Sequence, residues 1–120
     1  MPRRVLIVDD AEAMRAVLRS ILSRNGYEVI GEAEDGEEAA RMFTEQRPDI
    51  VLLDVMMPRM DGLETLKAIL AADARAKVIM CTADGSREAV VDSLQAGAVD
   101  FVIKPFSTER LLQAIRKAHW

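Results

Sequence analysis

The sequence predicts an α/β fold in which a doubly wound parallel sheet is built from alternating strands and helices. Short runs of β-branched and aliphatic residues alternate five times with segments of helical period. The strongest of these runs are continuously apolar, as expected for strands that are buried on both faces of a parallel sheet. No linker, tail or low-complexity stretch separates the segments, so we expect five strands and five helices.

The first strand and the first helix are the most clearly marked. An apolar run occupies residues 5–8, and apolar residues then recur at the i, i+3, i+4, i+7 and i+8 spacing of one helix face. These residues are Met14, Val17, Leu18, Ile21 and Leu22. Arginines fall on the opposite face, and Asn25-Gly26 supplies a left-handed end to the helix. We expect the apolar stripe to face the core.

The second and third units are marked by shorter signals. Residues 29–30 form a weaker strand, Gly36 precedes a helix, and Pro48 closes it. The apolar positions of that helix are Ala39, Ala40, Met42 and Phe43. Residues 50–53 form the third strand, which leads through Pro58 and Gly62 into a third helix. The core positions of the third helix are Leu63, Leu66, Ile69 and Leu70.

The last two units complete the alternation. Residues 78–82 form the fourth strand, Asp84-Gly85 turns the chain, and Gly97 ends the fourth helix. Residues 101–103 form the fifth strand, and Ser107 is a suitable cap for the final helix. The expected core positions of these two helices are Val90, Val91, Leu94, Leu111, Leu112 and Ile115.

Composition limits the classes of function. The 120 residues suit a single domain, residues 1–120, and 50% of them are apolar. The net charge is −4 and no basic block is present, which argues against nucleic acid as a partner. We find neither a signal peptide nor a membrane-inserting segment and expect a cytoplasmic protein. Cys81 is the only cysteine and fits a small buried side chain, and His119, the only histidine, fits a terminal surface residue.

Charged residues stand where three of the apolar runs stop. Asp9 and Asp10 follow the first run, Asp54 follows the third, and Lys104 follows the fifth. Ligand sites of open α/β sheets lie beyond the carboxyl ends of the strands, so we expect these groups to meet at one edge. Thr82, at the end of the fourth run, adds a hydroxyl group there.

Gathered carboxylates are hard to ionise together unless a positive charge is present. The oxygen ligands of Asp10 and Asp54, a backbone carbonyl from the following loop and several waters suit Mg²⁺, with Asp9 acting mainly through water. A metal ion, the Lys104 ammonium and the Thr82 hydroxyl would together neutralise a phosphoryl group in transfer, with Asp54 as the nucleophile.

Each feature also has a simpler interpretation. Asp9 and Asp10 could merely cap the first helix, and Asp54 could form a turn after its strand. Lys104 could be a solvated loop residue, and Thr82 an ordinary strand residue. Three methionines, Met56, Met57 and Met60, lie in the loop after Asp54. Gap filling and loop packing are better interpretations of them than binding of a soft metal ion. The combination of matched groups on separate strand ends favours a site.

The same residues carry a resemblance to a known family. Residues 6–10, 54–62, 82–83 and 104–106 resemble the motifs of the receiver domain of two-component response regulators, most closely those of single-domain chemotaxis regulators. The similarity runs from about Arg3 to Ala118. It implies a flavodoxin-like (βα)5 fold, a doubly wound parallel sheet with strand order 2-1-3-4-5. It also implies a cis peptide bond between Lys104 and Pro105.

The resemblance further implies a function for individual residues. Asp54 would accept a phosphoryl group from the phosphohistidine of a sensor histidine kinase. Mg²⁺ would be held by Asp10, Asp54 and the Met56 carbonyl, with Asp9 acting through water, and Lys104 and Thr82 would contact the phosphoryl oxygens. Thr82 and Phe101 would rearrange together as a switch, and a downstream effector protein would bind the surface around the fourth and fifth helices. Met56 and Asp84 would tune the lifetime of the acyl phosphate.

The sequence leaves two other classes of function open. A metal-dependent phosphohydrolase with an aspartyl nucleophile would use a related sheet, but its usual Asp-x-Asp and cap are not visible in the sequence. A nucleotide or flavin protein would need a glycine-rich phosphate loop, which does not follow the first run. We therefore expect a regulatory module that promotes only its own phosphorylation and dephosphorylation.

Overall fold

The computed structural model describes residues 3–57 and 60–118. Strands and helices alternate along this part of the chain. The strands are β1 Arg4–Val8, β2 Glu28–Ala33, β3 Ile50–Leu53, β4 Lys77–Thr82 and β5 Asp100–Ile103. The helices are α1 Glu12–Arg24, α2 Gly36–Gln46, α3 Gly62–Ala72, α4 Arg87–Gln95 and α5 Thr108–Ala118. The predicted alternation is confirmed, whereas the predictions for Pro58 and His119 lie outside the described residues.

The strands form one parallel sheet in the order β2-β1-β3-β4-β5, which confirms the order implied by the resemblance. The central strands are in register, with Val5 opposite Ile50 and Val8 opposite Leu53. Because these ends are level, the residues that follow β1 and β3 leave the sheet at the same height. The register of β1 against β2 shifts between Val5 and Leu6.

Alternate residues of each strand fill two separate cores, one on each face of the sheet. Val5 and Ile7 pack with α1 and α5, whereas Leu6 and Val8 pack with α2, α3 and the start of α4. Burial of β1 and β3 on both faces explains why their sequences are apolar without alternation. Among the described helices, none has both the length and the apolar character that a membrane crossing requires.

Most helix ends follow the sequence signals. Gly26 has a φ of +83° just after α1, and Gly97 has a φ of +114° just after α4. The Ser107 hydroxyl accepts a hydrogen bond from the Arg110 N–H at 3.0 Å, as its expected capping role requires. The α2 helix ends differently, because Arg47 adopts the left-handed conformation with a φ of +47° ahead of Pro48.

Some residues expected in the core are exposed. Val17, Val91 and Leu94 lie on apolar helix faces, yet each is more than a third exposed, and Ile103 at the end of β5 is 47% exposed. Periodicity identifies the apolar face of a helix but does not ensure that another element covers it. The expectation that these four side chains are buried is therefore wrong.

Candidate functional site

The three predicted acidic residues meet at the carboxyl ends of β1 and β3. Asp9, Asp10 and Asp54 each offer a carboxylate oxygen, and these oxygens lie within 4.8 Å of one another. Backbone hydrogen bonds fix the two chain segments, because the Asp54 N–H donates to the Val8 carbonyl at 3.0 Å and the Asp9 N–H to the Ala33 carbonyl at 3.0 Å. The level strand ends thus produce the acidic cluster that the sequence predicted.

The carboxylates of the cluster differ in burial. Asp9 is 1% exposed and Asp54 is 6% exposed, whereas Asp10 is open to solvent. Asp9 Oδ1 accepts a hydrogen bond from the Ala11 N–H at 2.9 Å, and Asp54 Oδ1 accepts one from the Met56 N–H at 3.1 Å. The N-cap of α1 is Ala11 and has no side-chain cap, so the simpler interpretation of Asp9 and Asp10 as helix caps is wrong.

Lys104 brings a positive charge to the cluster from the end of β5. Its Nζ lies 2.5 Å from Asp9 Oδ2 and 3.2 Å from Asp54 Oδ2. Burial alone would lower the pKa of Lys104, but the hydrogen bond to Asp9 and the charges of Asp54 and Asp9 raise it above its usual value. Lys104 is therefore protonated at neutral pH, and the interpretation as a solvated loop residue is wrong. Its peptide bond to Pro105 is cis, as expected.

Thr82 ends the neighbouring strand and is fully buried. Its hydroxyl oxygen accepts a hydrogen bond from the Asp84 N–H at 3.2 Å, which leaves the hydroxyl hydrogen available to another acceptor. Phe101, on the adjacent strand β5, is 7% exposed and belongs to the core on the α2, α3 and α4 face. The two side chains of the expected switch thus belong to adjacent paired strands.

The described ends of the loop between Asp54 and α3 contact each other beside the site. The Gly62 N–H donates to the Val55 carbonyl at 2.8 Å, and a Cβ on Gly62 would lie 2.2 Å from the Asp54 carbonyl oxygen. Only glycine fits there without moving the backbone. Met57 packs against the core, but Met56 is 63% exposed, so the expectation that Met56 fills a gap in the loop is wrong.

Two features near the site were not assigned from the sequence. Arg15 has a side chain only 14% exposed, and its guanidinium donates to the Asp9 carbonyl at 2.7 Å and lies 3.4 Å from Glu32. The sequence placed Arg15 only on the polar face of α1, and its position one turn into the helix after Asp9 was the available signal. The contact of Gly62 with the Asp54 backbone required the three-dimensional path of the loop.

Cys81 lies one residue before Thr82 in β4 and is buried, as expected. Burial raises the pKa of its thiol to about 12, and the nearby Lys104 ammonium lowers that pKa less than burial raises it. The thiol is therefore protonated at neutral pH, which makes it a poor nucleophile.

The chain is similar to well-described proteins along almost its whole length. A family model described as the response regulator receiver domain matches residues 5–116. The chain is 50% identical to the chemotaxis protein CheY of Bacillus subtilis over 98% of both chains. It is 46% identical to the CheY protein of Thermotoga maritima, again over 98% of both. A CheX-CheY-BeF3-Mg²⁺ complex from Borrelia burgdorferi contains a chain with a TM-score of 0.97 and 38% identity, covering 100% of this chain and 91% of that one.

Proposed function

The chain belongs to the response regulator receiver family and is a receiver domain of two-component systems, and we propose that Asp54 is the residue that accepts its phosphoryl group. The observation that carries this proposal is the position of Asp54, which lies beside two further carboxylates and 3.2 Å from the Lys104 ammonium. A carboxylate in this setting combines a nucleophilic oxygen with groups that neutralise the incoming charge.

The other two aspartates are less suited to that role. Asp9 and Asp54 each accept one hydrogen bond from a backbone N–H and one from Lys104, so burial distinguishes them: Asp9 is 1% exposed and Asp54 is 6% exposed. Asp10 is exposed and follows Asp9 directly, so it can reach a hydrated ion more readily than a buried carboxylate can. Asp54 lies between these extremes, sheltered but still accessible.

The donor set suits Mg²⁺, because three carboxylates within 4.8 Å of one another offer hard oxygen ligands. We propose that Asp10, Asp54 and the backbone carbonyl of Met56 hold the ion and that Asp9 acts through water. When bound, Mg²⁺ neutralises charge on phosphoryl oxygens. Because Lys104 neutralises only part of the cluster, the remaining excess of negative charge favours a divalent cation.

In the proposed reaction, an oxygen of the Asp54 carboxylate attacks phosphorus, and the bond from phosphorus to the histidine nitrogen of a sensor kinase breaks. The Lys104 ammonium stabilises the negative charge on the transferred group, since its raised pKa keeps it protonated. The Thr82 hydroxyl then donates to a phosphoryl oxygen.

This hydrogen bond is too weak to drive the conformational switch alone. A hydrogen bond to a charged group contributes about 1.5–3 kcal/mol, whereas a shift of a two-state conformational equilibrium from 1:99 to 99:1 needs about 5.5 kcal/mol. Lys104 and backbone donors must therefore share the switching task with Thr82.

We propose that the switch consists of Thr82 and Phe101 and that its output is protein binding. Phe101 has no hydroxyl group, so it can report phosphorylation only through a change in burial or backbone position. Large apolar side chains are exposed on α4, on β5 and just before β5, and these are Val91, Leu94, Val99 and Ile103. This exposed apolar surface is where an effector protein would bind. Met56 and Asp84 remain candidates for tuning the phosphoryl lifetime.

We propose a cytoplasmic chemotaxis module that works as a single domain over residues 1–120, with a sensor histidine kinase as donor and with neither nucleic acid nor membrane as a partner. The naming of its relatives as chemotaxis proteins supports this setting. The chain would catalyse nothing beyond its own phosphorylation and dephosphorylation. A phosphohydrolase is not favoured, because the family match covers residues 5–116 and no cap domain is built from the residues described.

The test is incubation with acetyl phosphate and Mg²⁺, followed by the mass of the intact protein. The wild type is expected to gain one phosphoryl group, and Asp54→Asn is expected to gain none. Asp73→Asn, at the end of α3, is the matched control and is expected to behave like the wild type. Equal labelling of Asp54→Asn and the wild type, or an unmodified wild type, would contradict the proposal.

A further inference from the structure

The strand that carries Phe101 lies at one edge of the sheet. β5 pairs only with β4 within the described part of the chain, so every second backbone amide and carbonyl of β5 points away from the sheet. The Lys104 N–H donates to the Thr82 carbonyl at 2.8 Å, which directs Lys104 toward β4. Since backbone direction alternates along a strand, Phe101 directs both its N–H and its carbonyl to the free edge.

Both backbone groups of Phe101 are nevertheless satisfied. The Phe101 N–H donates to Asp100 Oδ1 at 2.7 Å, and the Phe101 carbonyl accepts a hydrogen bond from the Arg110 guanidinium at 2.9 Å. Asp100 and Arg110 are themselves an ion pair, with 3.2 Å between Arg110 Nη2 and Asp100 Oδ1. The two side chains therefore occupy the place that a neighbouring strand would take.

This ion pair also joins two elements. Arg110 lies in the first turn of α5, where its own N–H is held by the Ser107 hydroxyl at 3.0 Å. The side chains of Asp100 and Arg110 are 20% and 39% exposed, so the pair is accessible but partly sheltered. A movement of the Phe101 backbone must either carry Arg110 along or break its hydrogen bond to the Phe101 carbonyl.

We propose that Asp100 and Arg110 form an edge clamp that positions the backbone of Phe101 and relays its movement to α5. The clamp itself is independent of phosphorylation, whereas the relay rests on the proposed function. Neither residue touches the acidic cluster, so both are positioning residues. The clamp keeps the edge of β5 hydrogen-bonded at Phe101, and it transmits movement of the Phe101 backbone to α5.

The first arm of the test measures amide hydrogen exchange in the unphosphorylated protein by NMR. Asp100→Ala removes the acceptor of the Phe101 N–H and is expected to speed exchange of that amide about tenfold. Arg110→Ala keeps this acceptor but removes its ion-pair partner and the donor to the Phe101 carbonyl, so it is expected to speed the exchange less. Arg110→Lys keeps the charge but loses the fork geometry, and it is expected to give an intermediate rate. Arg116→Ala, an exposed arginine in the last turn of α5, is the matched control and is expected to leave the rate unchanged.

The second arm repeats the measurement with acetyl phosphate and Mg²⁺. Phosphorylation of the wild type is expected to change exchange at Leu111 and Leu112, beside Arg110 in α5. In Arg110→Ala that response is expected to fall by about half or more, while the intact mass shows the same phosphoryl addition as in the wild type. If Arg110 only stabilised the fold, its loss would not reduce the response of α5 while leaving phosphorylation unchanged.

The outcomes are distinguishable. If the Phe101 amide exchanges no faster in Arg110→Ala and Asp100→Ala than in Arg116→Ala, the clamp is overturned. A full α5 response in phosphorylated Arg110→Ala would overturn the relay. An unmodified wild type would reject the proposed function and the relay with it, while the first arm would still decide the clamp.

Discussion

At the scale of single residues, the acidic cluster combines charges that repel one another. Asp9 and Asp54 are buried, Asp10 lies beside them, and Lys104 is the cation that contacts two of the three carboxylates. Because one ammonium faces three carboxylates, negative charge is in excess among these side chains. Such an arrangement lowers stability in the absence of a further cation, and it prepares the site to bind one.

The charge excess leads to the first prediction, which concerns Asp10→Asn. Without Mg²⁺, relief of repulsion is expected to raise the free energy of unfolding by about 1 kcal/mol. Added Mg²⁺ should stabilise the wild type, because it binds the folded form, and should stabilise Asp10→Asn much less. Urea unfolding with and without Mg²⁺ measures both effects. Equal stabilisation of the two proteins by Mg²⁺ would remove Asp10 from the proposed ligand set.

A second prediction concerns Cys81, whose thiol has a pKa of about 12 in the folded protein against an ordinary value of 9.0. A raised pKa means that the unfolded chain loses this proton first, so the stabilisation is present below pH 9 and is lost as pH rises toward 12. Between neutral pH and about pH 10.5, the free energy of unfolding is expected to fall by about 2 kcal/mol more in the wild type than in Cys81→Ala. Urea unfolding at the two pH values measures the difference. Because Lys104 is present in both proteins, its own raised pKa contributes equally and cancels. Parallel declines in the two proteins would show that the thiol is not protected.

At the scale of elements, the loop from β3 to α3 holds Asp54 in place. Gly62 lies against the backbone of Asp54, where a Cβ would approach the carbonyl oxygen to 2.2 Å. The clash is with backbone and not with a flexible side chain, so substitution must move either the loop or the end of β3. The stability of this loop and the position of Asp54 are therefore linked.

The corresponding prediction compares two glycines. Gly62→Ala is expected to cost at least about 2 kcal/mol of unfolding free energy and to slow phosphorylation by acetyl phosphate. Gly26→Ala, in a left-handed turn with no atom within 4 Å of the new Cβ, is expected to cost about 1 kcal/mol and to leave phosphorylation unchanged. Chemical unfolding and the intact mass over time measure both effects. If Gly62→Ala is phosphorylated at the wild-type rate, the loop does not position Asp54 for the reaction.

The strands and helices differ in how much of their structure could be predicted from the sequence. The apolar runs of β1 and β3 predicted both the strands and the meeting of Asp9, Asp10 and Asp54, because parallel strands end at a common edge. The β2 strand extends from Glu28 to Ala33, well beyond the predicted residues 29–30, because an edge strand tolerates polar residues that interrupt the apolar pattern. The role of Arg15 was missed, since a polar helix face can turn toward a site as well as toward solvent.

At the scale of the whole molecule, the site and the exposed apolar surface are separate features of one sheet. The acidic cluster lies beyond β1 and β3, whereas the exposed apolar side chains lie on α4 and around β5. The sequence marked Leu94 and Ile103 as apolar but not as exposed, because exposure depends on which elements lie next to them. This was the main error of the sequence prediction, and it falls on the proposed effector surface.

A fourth prediction tests whether that surface contributes to folding. Leu94 is 45% exposed, so Leu94→Gln is expected to change the free energy of unfolding by about 0.5 kcal/mol or less. Leu66, in α3, is completely buried, and Leu66→Gln is expected to cost at least about 3 kcal/mol. Urea unfolding of both variants measures the contrast. A large cost for Leu94→Gln would show that the side chain supports the fold and is not kept for a partner.

The central claim is that carboxylates from two strand ends and an ammonium from a third form one phosphoryl-accepting site. A crystal structure with Mg²⁺ and beryllofluoride, a phosphoryl analogue, tests it most directly. We expect Mg²⁺ at about 2.1 Å from oxygens of Asp10 and Asp54, beryllium on an Asp54 oxygen, and the Lys104 ammonium against a fluoride. Beryllium on another carboxylate, or a metal ion held without Asp54, would contradict the claim.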